Sequence, residues 1–340
     1  MSTLRHPPWP DTEGGAPRRV GVELEFADYP AADAARLVAA LYGGTLHQED
    51  PHRFRVADAR WGTFTVELDT RFAHPDPHAV PDDDGPEDDL EADWRQFSRE
   101  MDAGARELIG DAFQGVVPTE IVTPPVPWSE LDGLDPLFDR LRAAGARGTT
   151  EGAFYAFGLH LNPEAARLDA DHLTRMMRAY MVLSPWLREQ SSTDWTRRLL
   201  PHANPFPKPY ALKVVDPSYR PDLGRLIDDY GHFNPTRNRE LDMWPLFRHL
   251  DPARVDRLIQ DGRIKARPTF HYRLPDMRLA EAGWSAVTVW NSWMAVESLA
   301  ADPAQLEKEA RAFIQTHGRA RPVQWLERLM AWWEGPDGAR

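Results

Sequence analysis

The feature that most constrains the fold is a strict alternation of apolar and acidic residues near the start of the chain. The stretch RRVGVELEFADY spans residues 18–29, and in it Glu23 and Glu25 alternate with Val22, Leu24 and Phe26. Successive side chains of a β-strand point to opposite faces, so the apolar residues share one face and the glutamates the other. The pattern predicts a strand with one face in the core. Its acidic face is either solvated, the commoner case, or one half of a cation site.

Four later segments repeat this arrangement of polar side chains on one face of a predicted strand. They are TFTVELDTR, PTEIVTPP, FGLHLN and RPTFHYRLPD. Their polar residues are, in chain order, Glu67 and Asp69, then Glu120, then His160 and Asn162, then Arg267, Thr269, His271 and Arg273. If all five faces point to one side of a single sheet, they form a trough with acids in one part and arginines in another.

The order of the predicted elements favours an α+β fold with a mainly antiparallel sheet. Several strands are close in sequence, such as RFRVADA and WGTFTVELDT, which are predicted to form a hairpin. Such short connections suit antiparallel pairing, because parallel strands need long crossovers. Helices are predicted over residues 31–42, 90–113, 129–144 and 169–190, and a helical region over about 281–333. Residues 191–236 are predicted to be irregular.

Composition along the chain predicts one large domain behind a short leader. Residues 1–17 are rich in Pro and Gly and are interpreted as a mobile leader. Residues 18–335 are interpreted as a single catalytic domain, interrupted by an acidic, solvated loop at about residues 75–91.

Charge and composition exclude several classes of function. The net charge of -13 argues against a nucleic-acid or anionic-membrane partner, because no broad basic surface is available. The chain has no cysteine, which removes disulfides, thiolate metal sites and cysteine nucleophiles. No apolar run has membrane-spanning length and the start lacks a signal-peptide core, so a cytoplasmic protein is expected. The 13 tryptophans are interpreted as core, with a homo-oligomer surface or a lid as the alternative.

Acids and arginines on one face are the residue types that phosphoryl transfer needs. Mg²⁺ takes oxygen ligands, commonly one or two carboxylates together with substrate phosphates. The guanidinium fork matches phosphate and carboxylate oxygens in bidentate pairs, and charge neutralisation dominates catalysis of such transfers. Taken singly, the same residues also suit ordinary roles. These are a solvated strand face, a salt-bridge partner at Glu120, and a hydrogen-bonded core histidine at His160.

The motifs VGVELEF, VELDT, TEIVTPP, GLHLN and FHYRLPD, followed by VTVWNSWMAV, carry a family resemblance. In this order they resemble the amidoligases of the glutamine-synthetase and glutamate–cysteine-ligase superfamily, from about Val20 to about Glu297. The resemblance implies a curved antiparallel sheet with helices on the convex side and Mg-ATP on the concave face. It also implies an activity, in which a carboxylate is phosphorylated and an amine then displaces phosphate to form an amide.

The resemblance implies roles for individual residues. Metal ligands are implied at Glu23, Glu25 and Glu120. His160 is implied to lie near metal or phosphate, Arg273 to contact phosphate or an acyl phosphate, and Asp69 to position substrate. Two departures from the family pattern stand out. His271 occupies the place of a glutamate, which suits Mn²⁺ or Zn²⁺ better than Mg²⁺, and Asp242 stands where asparagine is common.

Three functional hypotheses follow. The first is a ligase that uses ATP and Mg²⁺, or Mn²⁺, to join a small-molecule or peptide carboxylate to an amine. On this hypothesis Arg267 and Arg273 neutralise phosphoryl charge, Asp69 takes a proton from the amine, and His160 or His271 contacts metal or phosphate. Arg237 and Arg239 are candidates for ATP phosphates, or simply a salt-bridged helix start. The alternatives are a metal-dependent amide hydrolase and a non-catalytic nucleotide-binding protein.

Overall fold

The computed structural model describes residues 2–68, 117–149, 157–191 and 203–317, which form an α+β fold with one main sheet. The strands found in these ranges are β1 (Arg19–Phe26), β2 (Thr45–Asp50), β3 (Arg53–Ala59), β4 (Gly62–Leu68), β5 (Thr119–Val122), β6 (Val126–Pro127), β7 (Leu159–Pro163), β8 (Leu241–Asp242) and β9 (His271–Tyr272).

Each pair of neighbouring strands within the described ranges is antiparallel. The strand order is β2-β3-β4-β5-β1-β7-β9-β8, and β6 pairs with β1 outside this path. Strand β1 is therefore central, with β5 on one side and β7 on the other. The prediction of an α+β fold with a mainly antiparallel sheet is confirmed. The curvature of the sheet and its likeness to glutamine synthetase stay predictions.

The described ranges also contain a 3₁₀ helix (Trp128–Leu134) and a set of α-helices. The α-helices are α1 (Ala31–Tyr42), α2 (Asp135–Ala143), α3 (Ala170–Ser191), α4 (Lys208–Val215), α5 (Leu223–Phe233), α6 (Trp244–Leu250), α7 (Pro252–Leu258), α8 (Ala286–Ala301) and α9 (Pro303–His317). None of the helices in the described part of the chain has the combination of length and apolar content that crossing a membrane requires.

The apolar face of the sheet is covered by helices near both of its edges. The apolar residues of β1 are fully buried, as their alternation predicts. Tyr42 of α1 stacks on Phe64 of β4, with ring centroids 5.2 Å apart. Trp293 of α8 contacts Tyr272 of β9 at 5.4 Å. Because Phe64 and Tyr272 lie on the same face by register as the apolar residues of β1, the polar side chains are left on the opposite face.

The predicted leader lies against helix α8. The backbone N–H of Arg5 donates to Asn291 Oδ1 at 2.9 Å, and Trp290 Nε1 donates to the carbonyl of Arg5 at 3.0 Å. Trp9 meets the ring of His172 in α3 edge-on, with ring centroids 4.8 Å apart. The mobility of this segment stays a prediction.

A buried ion pair joins the start of β1 to α8. Arg18 donates through both terminal nitrogens to the carboxylate of Glu297, at 2.8 and 2.5 Å, and the two side chains are 2% and 1% exposed. Trp293 Nε1 donates to the same carboxylate at 2.8 Å, and Arg18 Nη1 also donates to the carbonyl of Trp9. This pair therefore fixes the leader, β1 and α8 to one another.

The helices predicted over 31–42 and 169–190 are confirmed, whereas the helix predicted over 129–144 is a 3₁₀ helix followed by α2. The helix over 31–42 ends at Gly43, whose φ of 73° suits glycine. The interval 191–236 is not wholly irregular, because it contains α4 and α5, and Asp222 caps α5 by accepting from the N–H of Arg225. The helical region predicted over about 281–333 is confirmed as far as residue 317, where it consists of α8 and α9 separated at Asp302, and its remainder lies outside the described residues. The acidic loop at 75–91 and the helix at 90–113 lie outside the described residues.

Candidate metal centre

Two neighbouring strands bring Glu23 and His160 together on the polar face. The register of β1 and β7 sets Glu23 directly opposite His160. His160 Nδ1 lies 3.2 Å from Glu23 Oε2, and Asn162 Nδ2 donates to Glu23 Oε1 at 3.0 Å. All three side chains are buried, so the carboxylate is held on both oxygens away from solvent.

His271 completes a cluster that we call the trio: Glu23, His160 and His271. The ligand atoms of the trio lie within 4.8 Å of one another. His271 Nε2 is 3.7 Å from Glu23 Oε2, and its ring meets that of His160 edge-on at 5.5 Å. Neither ring nitrogen of His271 has a hydrogen-bond partner among the described residues, although the residue is only 2% exposed. Two buried, unpaired imidazole nitrogens next to a carboxylate are what a metal ion would satisfy.

The pKa values of two members of the trio, Glu23 and His160, are shifted by their surroundings. Burial alone would raise the pKa of Glu23, but the charge of His271 and the hydrogen bond from His160 hold that pKa well below its usual range. Burial lowers the pKa of His160 despite the nearby carboxylates of Glu25 and Glu23. At neutral pH Glu23 is therefore an anion and His160 is neutral, which are the forms that coordinate a cation.

A second group of acids, which we call the acid row, crosses three adjacent strands of the same sheet. Glu25 of β1 is directly opposite Glu120 of β5, and Glu120 is directly opposite Glu67 of β4. Glu25 and Glu120 are buried, and the N–H of Gly158 donates to Glu25 Oε2 at 2.8 Å. Glu67 is more exposed and forms an ion pair with Arg53. Carboxylates directly opposite one another repel, so this row is suited to a shared cation.

One arginine lies close to Glu23, and two more lie near Asp242. Arg267 Nη1 is 3.6 Å from Glu23 Oε1. Arg273 Nη1 donates to the carbonyl of Arg237 at 2.6 Å, and Arg237 Nε is 3.7 Å from Asp242 Oδ2. Cations next to a candidate metal site are unfavourable unless an anion lies between them. The arrangement therefore suits an anionic ligand such as a phosphate or a carboxylate.

Arg239 has a different position from the other predicted arginines. Its Nη1 donates to the carbonyl of Pro205 at 2.8 Å, and burial lowers its pKa. Among the described residues it forms no ion pair with the trio or the acid row. A contact between Arg239 and ATP phosphates stays a prediction.

The two residues that depart from the family pattern are neighbours in the fold. Strands β8 and β9 pair so that Asp242 is directly opposite His271, and Asp242 Oδ2 lies 3.8 Å from His271 Nδ1. Asp242 is fully buried, and its Oδ1 accepts from the N–H of Trp244 at 3.0 Å. Its Oδ2 is without a hydrogen-bond partner in the described ranges. A carboxylate therefore stands behind the imidazole, on the side away from Glu23.

The structure brings most of the predicted site residues together. Direct contacts join Glu23, His160, His271 and Arg267, and strand register adds Glu25 and Glu120 on the same face. Asp69 lies outside the described residues. The sequence places Asn162 on the same strand face as His160 but does not predict its hydrogen bond to Glu23. The alternation of polar and apolar residues in this strand indicates that the two side chains share a face. The roles of all these residues stay predictions.

The fold and the site define an α+β protein whose antiparallel sheet carries a candidate metal centre on its polar face. The chain belongs to the family described as "Putative amidoligase enzyme", whose model matches residues 16–295. Comparison with curated proteins and with solved structures found no match. The matched range includes every strand of the sheet, the trio and the acid row, so the predicted amidoligase family is confirmed.

Proposed function

We propose that the protein is an ATP-dependent ligase that joins a carboxylate and an amine through an acyl phosphate. Membership of the amidoligase family supports amide-bond formation. The observation that carries the finer proposal is the presence of the acid row, the trio and three arginines on or beside one face of the sheet. Binding a triphosphate through divalent ions needs several carboxylates for the ions and several guanidinium groups for the phosphates, all close together.

The acid row fits Mg²⁺ by the chemistry of its donors. Glu25 and Glu120 offer buried carboxylate oxygens on adjacent strands, and carboxylate oxygens are the ligands that Mg²⁺ prefers. Glu67 is partly engaged by Arg53, so we assign it a supporting role. When bound, the ion supplies neutralisation of the β- and γ-phosphate charge.

The arginines neutralise the charge that moves during the reaction. Arg267 and Arg273 would bind oxygens of the transferred phosphoryl group, first on ATP and then on the acyl phosphate. Arg267 is 35% exposed in its side chain, which leaves its guanidinium able to reach a ligand in the trough. Arg237 lies next to Arg273 and would bind the same or an adjacent phosphate.

The proposed reaction has two balanced steps. A substrate carboxylate oxygen attacks the γ-phosphorus of ATP, the bond between this phosphorus and the β–γ bridging oxygen breaks, and ADP leaves. The neutral amine then attacks the acyl carbon, the bond from this carbon to the phosphate oxygen breaks, and inorganic phosphate leaves. The amine loses a proton on the way, and Asp69 is the proposed acceptor. The net change is ATP, carboxylate and amine to ADP, phosphate and amide.

The test is ADP release by the full-length protein with Mg²⁺, ATP and panels of carboxylates and amines. The proposal expects release that depends on both an acid and an amine. With hydroxylamine as the amine, it expects a hydroxamate formed from the acyl phosphate. The variants Glu120→Gln and Arg273→Lys are expected to lower the rate at least 10²-fold, because each removes charge stabilisation in the transition state.

The matched control is Glu130→Gln, an exposed glutamate bound to Arg60 and Trp61 outside the site. This variant is expected to retain full activity. If no acid and amine pair releases ADP, and a non-hydrolysable ATP analogue with Mg²⁺ leaves the melting temperature unchanged, the ligase proposal is wrong.

A second candidate function is a metal-dependent amide hydrolase. The observation that favours it is the donor set of the trio, since one carboxylate and two imidazoles also hold catalytic zinc in peptidases. It predicts amide cleavage with metal alone and no response to ATP. The third candidate, a non-catalytic nucleotide-binding protein, predicts stabilisation by Mg-ATP without turnover. The same thermal-shift and ADP measurements therefore separate all three.

A further inference from the structure

The trio differs in chemistry from the acid row beside it. Two of its three donors are imidazole nitrogens, whereas the row offers only carboxylates. Imidazole suits zinc, copper, iron and nickel, whereas carboxylate and water suit magnesium, calcium and manganese. The two groups lie on the same central strand, at Glu23 and Glu25, yet their donor sets select different ions.

The spacing of the trio is close to that of ligands around one small ion. Two donors each about 2.1 Å from a tetrahedral ion are separated by about 3.4 Å. Glu23 Oε2 lies 3.2 Å from His160 Nδ1 and 3.7 Å from His271 Nε2, on either side of that value. Asn162 Nδ2 holds the other oxygen of Glu23, so the carboxylate is already oriented. All three donors, including the two histidines, lie within 4.8 Å of one another.

Among the buried polar atoms of this region that have no hydrogen-bond partner in the described residues are both ring nitrogens of His271 and Oδ2 of Asp242, the residue behind it. A buried imidazole with two unpaired nitrogens and a buried carboxylate with one unpaired oxygen each lower stability, because both lose hydration without gaining a hydrogen bond. They lie 3.8 Å apart, between Nδ1 and Oδ2. If Nε2 binds a metal, Nδ1 carries the proton and Asp242 becomes its acceptor. One bound ion thus resolves every one of these unpaired atoms.

We infer that Glu23, His160 and His271 form a site for a transition-metal dication of the zinc and cobalt type, and that Asp242 is its positioning residue. Asp242 orients His271 from behind so that Nε2 faces Glu23. The carboxylate of Asp242 also supplies the negative charge that the glutamate of the family pattern would carry at position 271. The inference deepens the proposed function. It is argued from the geometry of the site, and measurements of metal binding alone can test it.

The charge around the site agrees with this assignment. Glu23 and Asp242 together carry two negative charges, which balance one dication. Arg267 faces Glu23 and Arg237 faces Asp242, so a bound ion would still present net positive charge to the trough. This charge suits an anionic group of the substrate as the remaining ligand.

The test measures metal binding and ligand type in the full-length protein after removal of metal by chelation. Zinc binds most sites more tightly than magnesium, so the informative quantity is the change between variants. In His271→Glu a carboxylate replaces the imidazole, and the ratio of Zn²⁺ to Mg²⁺ affinity is expected to fall at least tenfold. X-ray absorption at the zinc edge should count two imidazoles in the wild type and one in this variant.

Asp242→Asn is expected to weaken Zn²⁺ and Co²⁺ binding by 10- to 100-fold while the imidazole count stays at two, as for other outer carboxylates. Asparagine at position 242 keeps a side-chain oxygen that can accept a hydrogen bond from His271, whereas alanine has none. Asp242→Ala should therefore weaken binding more than Asp242→Asn does. A purely structural role for Asp242 would lower the melting temperature of the metal-free protein without moving metal affinity.

The matched control is His172→Asn, which removes another buried histidine that is not in the cluster. It is expected to leave zinc affinity and the imidazole count unchanged. If His271→Glu keeps the wild-type metal preference, or the wild type shows no histidine ligands at the zinc edge, the inference is overturned. The ligase proposal can fail independently, since none of these measurements requires turnover. Circular dichroism of each variant verifies that it has folded.

Discussion

Breaking the buried ion pair between Arg18 and Glu297 should destabilise the protein far more than breaking a surface pair. Removing one partner of a buried pair leaves the other charge without compensation and costs about 3–5 kcal/mol. In Arg18→Met the carboxylate of Glu297, 1% exposed, keeps only the donor Trp293 Nε1. The variant also frees the carbonyl of Trp9. We therefore expect the upper end of this range for Arg18→Met and the lower end for Glu297→Gln, which can still accept hydrogen bonds.

The size of the effect can be expressed as a melting temperature. Unfolding entropy is about 2.1 cal/mol/K per residue, or about 0.7 kcal/mol/K for a chain of 340 residues. A loss of about 3–5 kcal/mol then lowers the melting temperature by about 4–7 °C. The assay is urea unfolding followed by tryptophan fluorescence, because Trp9 and Trp293 both contact the pair. The double variant Arg18→Met/Glu297→Gln should cost much less than the sum of the two single variants.

The control is Arg36→Met, which removes an exposed partner of Asp33 in α1. It should change the unfolding free energy by less than about 0.5 kcal/mol, as surface pairs do. The reasoning is refuted if Arg18→Met costs under about 1 kcal/mol, or if the two single costs add in the double variant.

The remaining predictions concern stability at sites away from the metal centre. Burial lowers the pKa of His172 to about 4, so the stability of its neutral form is present above pH 6.5 and is lost as the pH falls towards 4. We expect this histidine to make the free energy of unfolding about 2 kcal/mol lower at pH 5 than at pH 7.5. In His172→Phe this contribution should be absent, as measured by urea unfolding at both pH values. Gly148→Ala should lower the free energy of unfolding by about 1–3 kcal/mol, because the added Cβ would lie 2.1 Å from the carbonyl oxygen of Met277. Gly262→Ala, with open space around its Cβ, should be neutral within about 0.5 kcal/mol in the same melts. Asp222→Ala should cost about 1 kcal/mol, since it removes the cap of α5, and an unchanged urea midpoint would contradict this.

Local patterns in the sequence were sufficient to predict which face each strand residue occupies. The alternation of Glu23 with Val22 and Leu24 has period two, and the structure buries the apolar set in the core. The end of α1 next to Gly43 also follows from a local signal, because glycine readily adopts the positive φ of a helix C-cap. Periodicity and capping depend on neighbouring residues, so they can be interpreted without knowing the fold.

Strand register could not be predicted in the same way. That Glu23 faces His160, and Glu25 faces Glu120, depends on pairings between segments about 95 or more residues apart in the chain. A shift of one residue would turn each polar side chain to the other face, and only the packed core excludes such a shift. The resemblance supplied the list of residues, but the contacts among them come from the sheet.

The pairing of Asp242 with His271 was hidden for the same reason. Each is visible in the sequence as a single departure from the family pattern. Two-residue strands with few periodic neighbours gave no reason to place them opposite one another. The pairing of β8 with β9 sets the two residues directly opposite one another, so we interpret them together as one imidazole and its neighbouring carboxylate.

Strand β1 contributes an acid to both the trio and the acid row, and Glu23 and Glu25 are separated only by Leu24. Leu24 is fully buried and anchors this part of the backbone in the core. The two acids are therefore held at a fixed spacing along one rigid strand, so a shift of this strand moves both positions together.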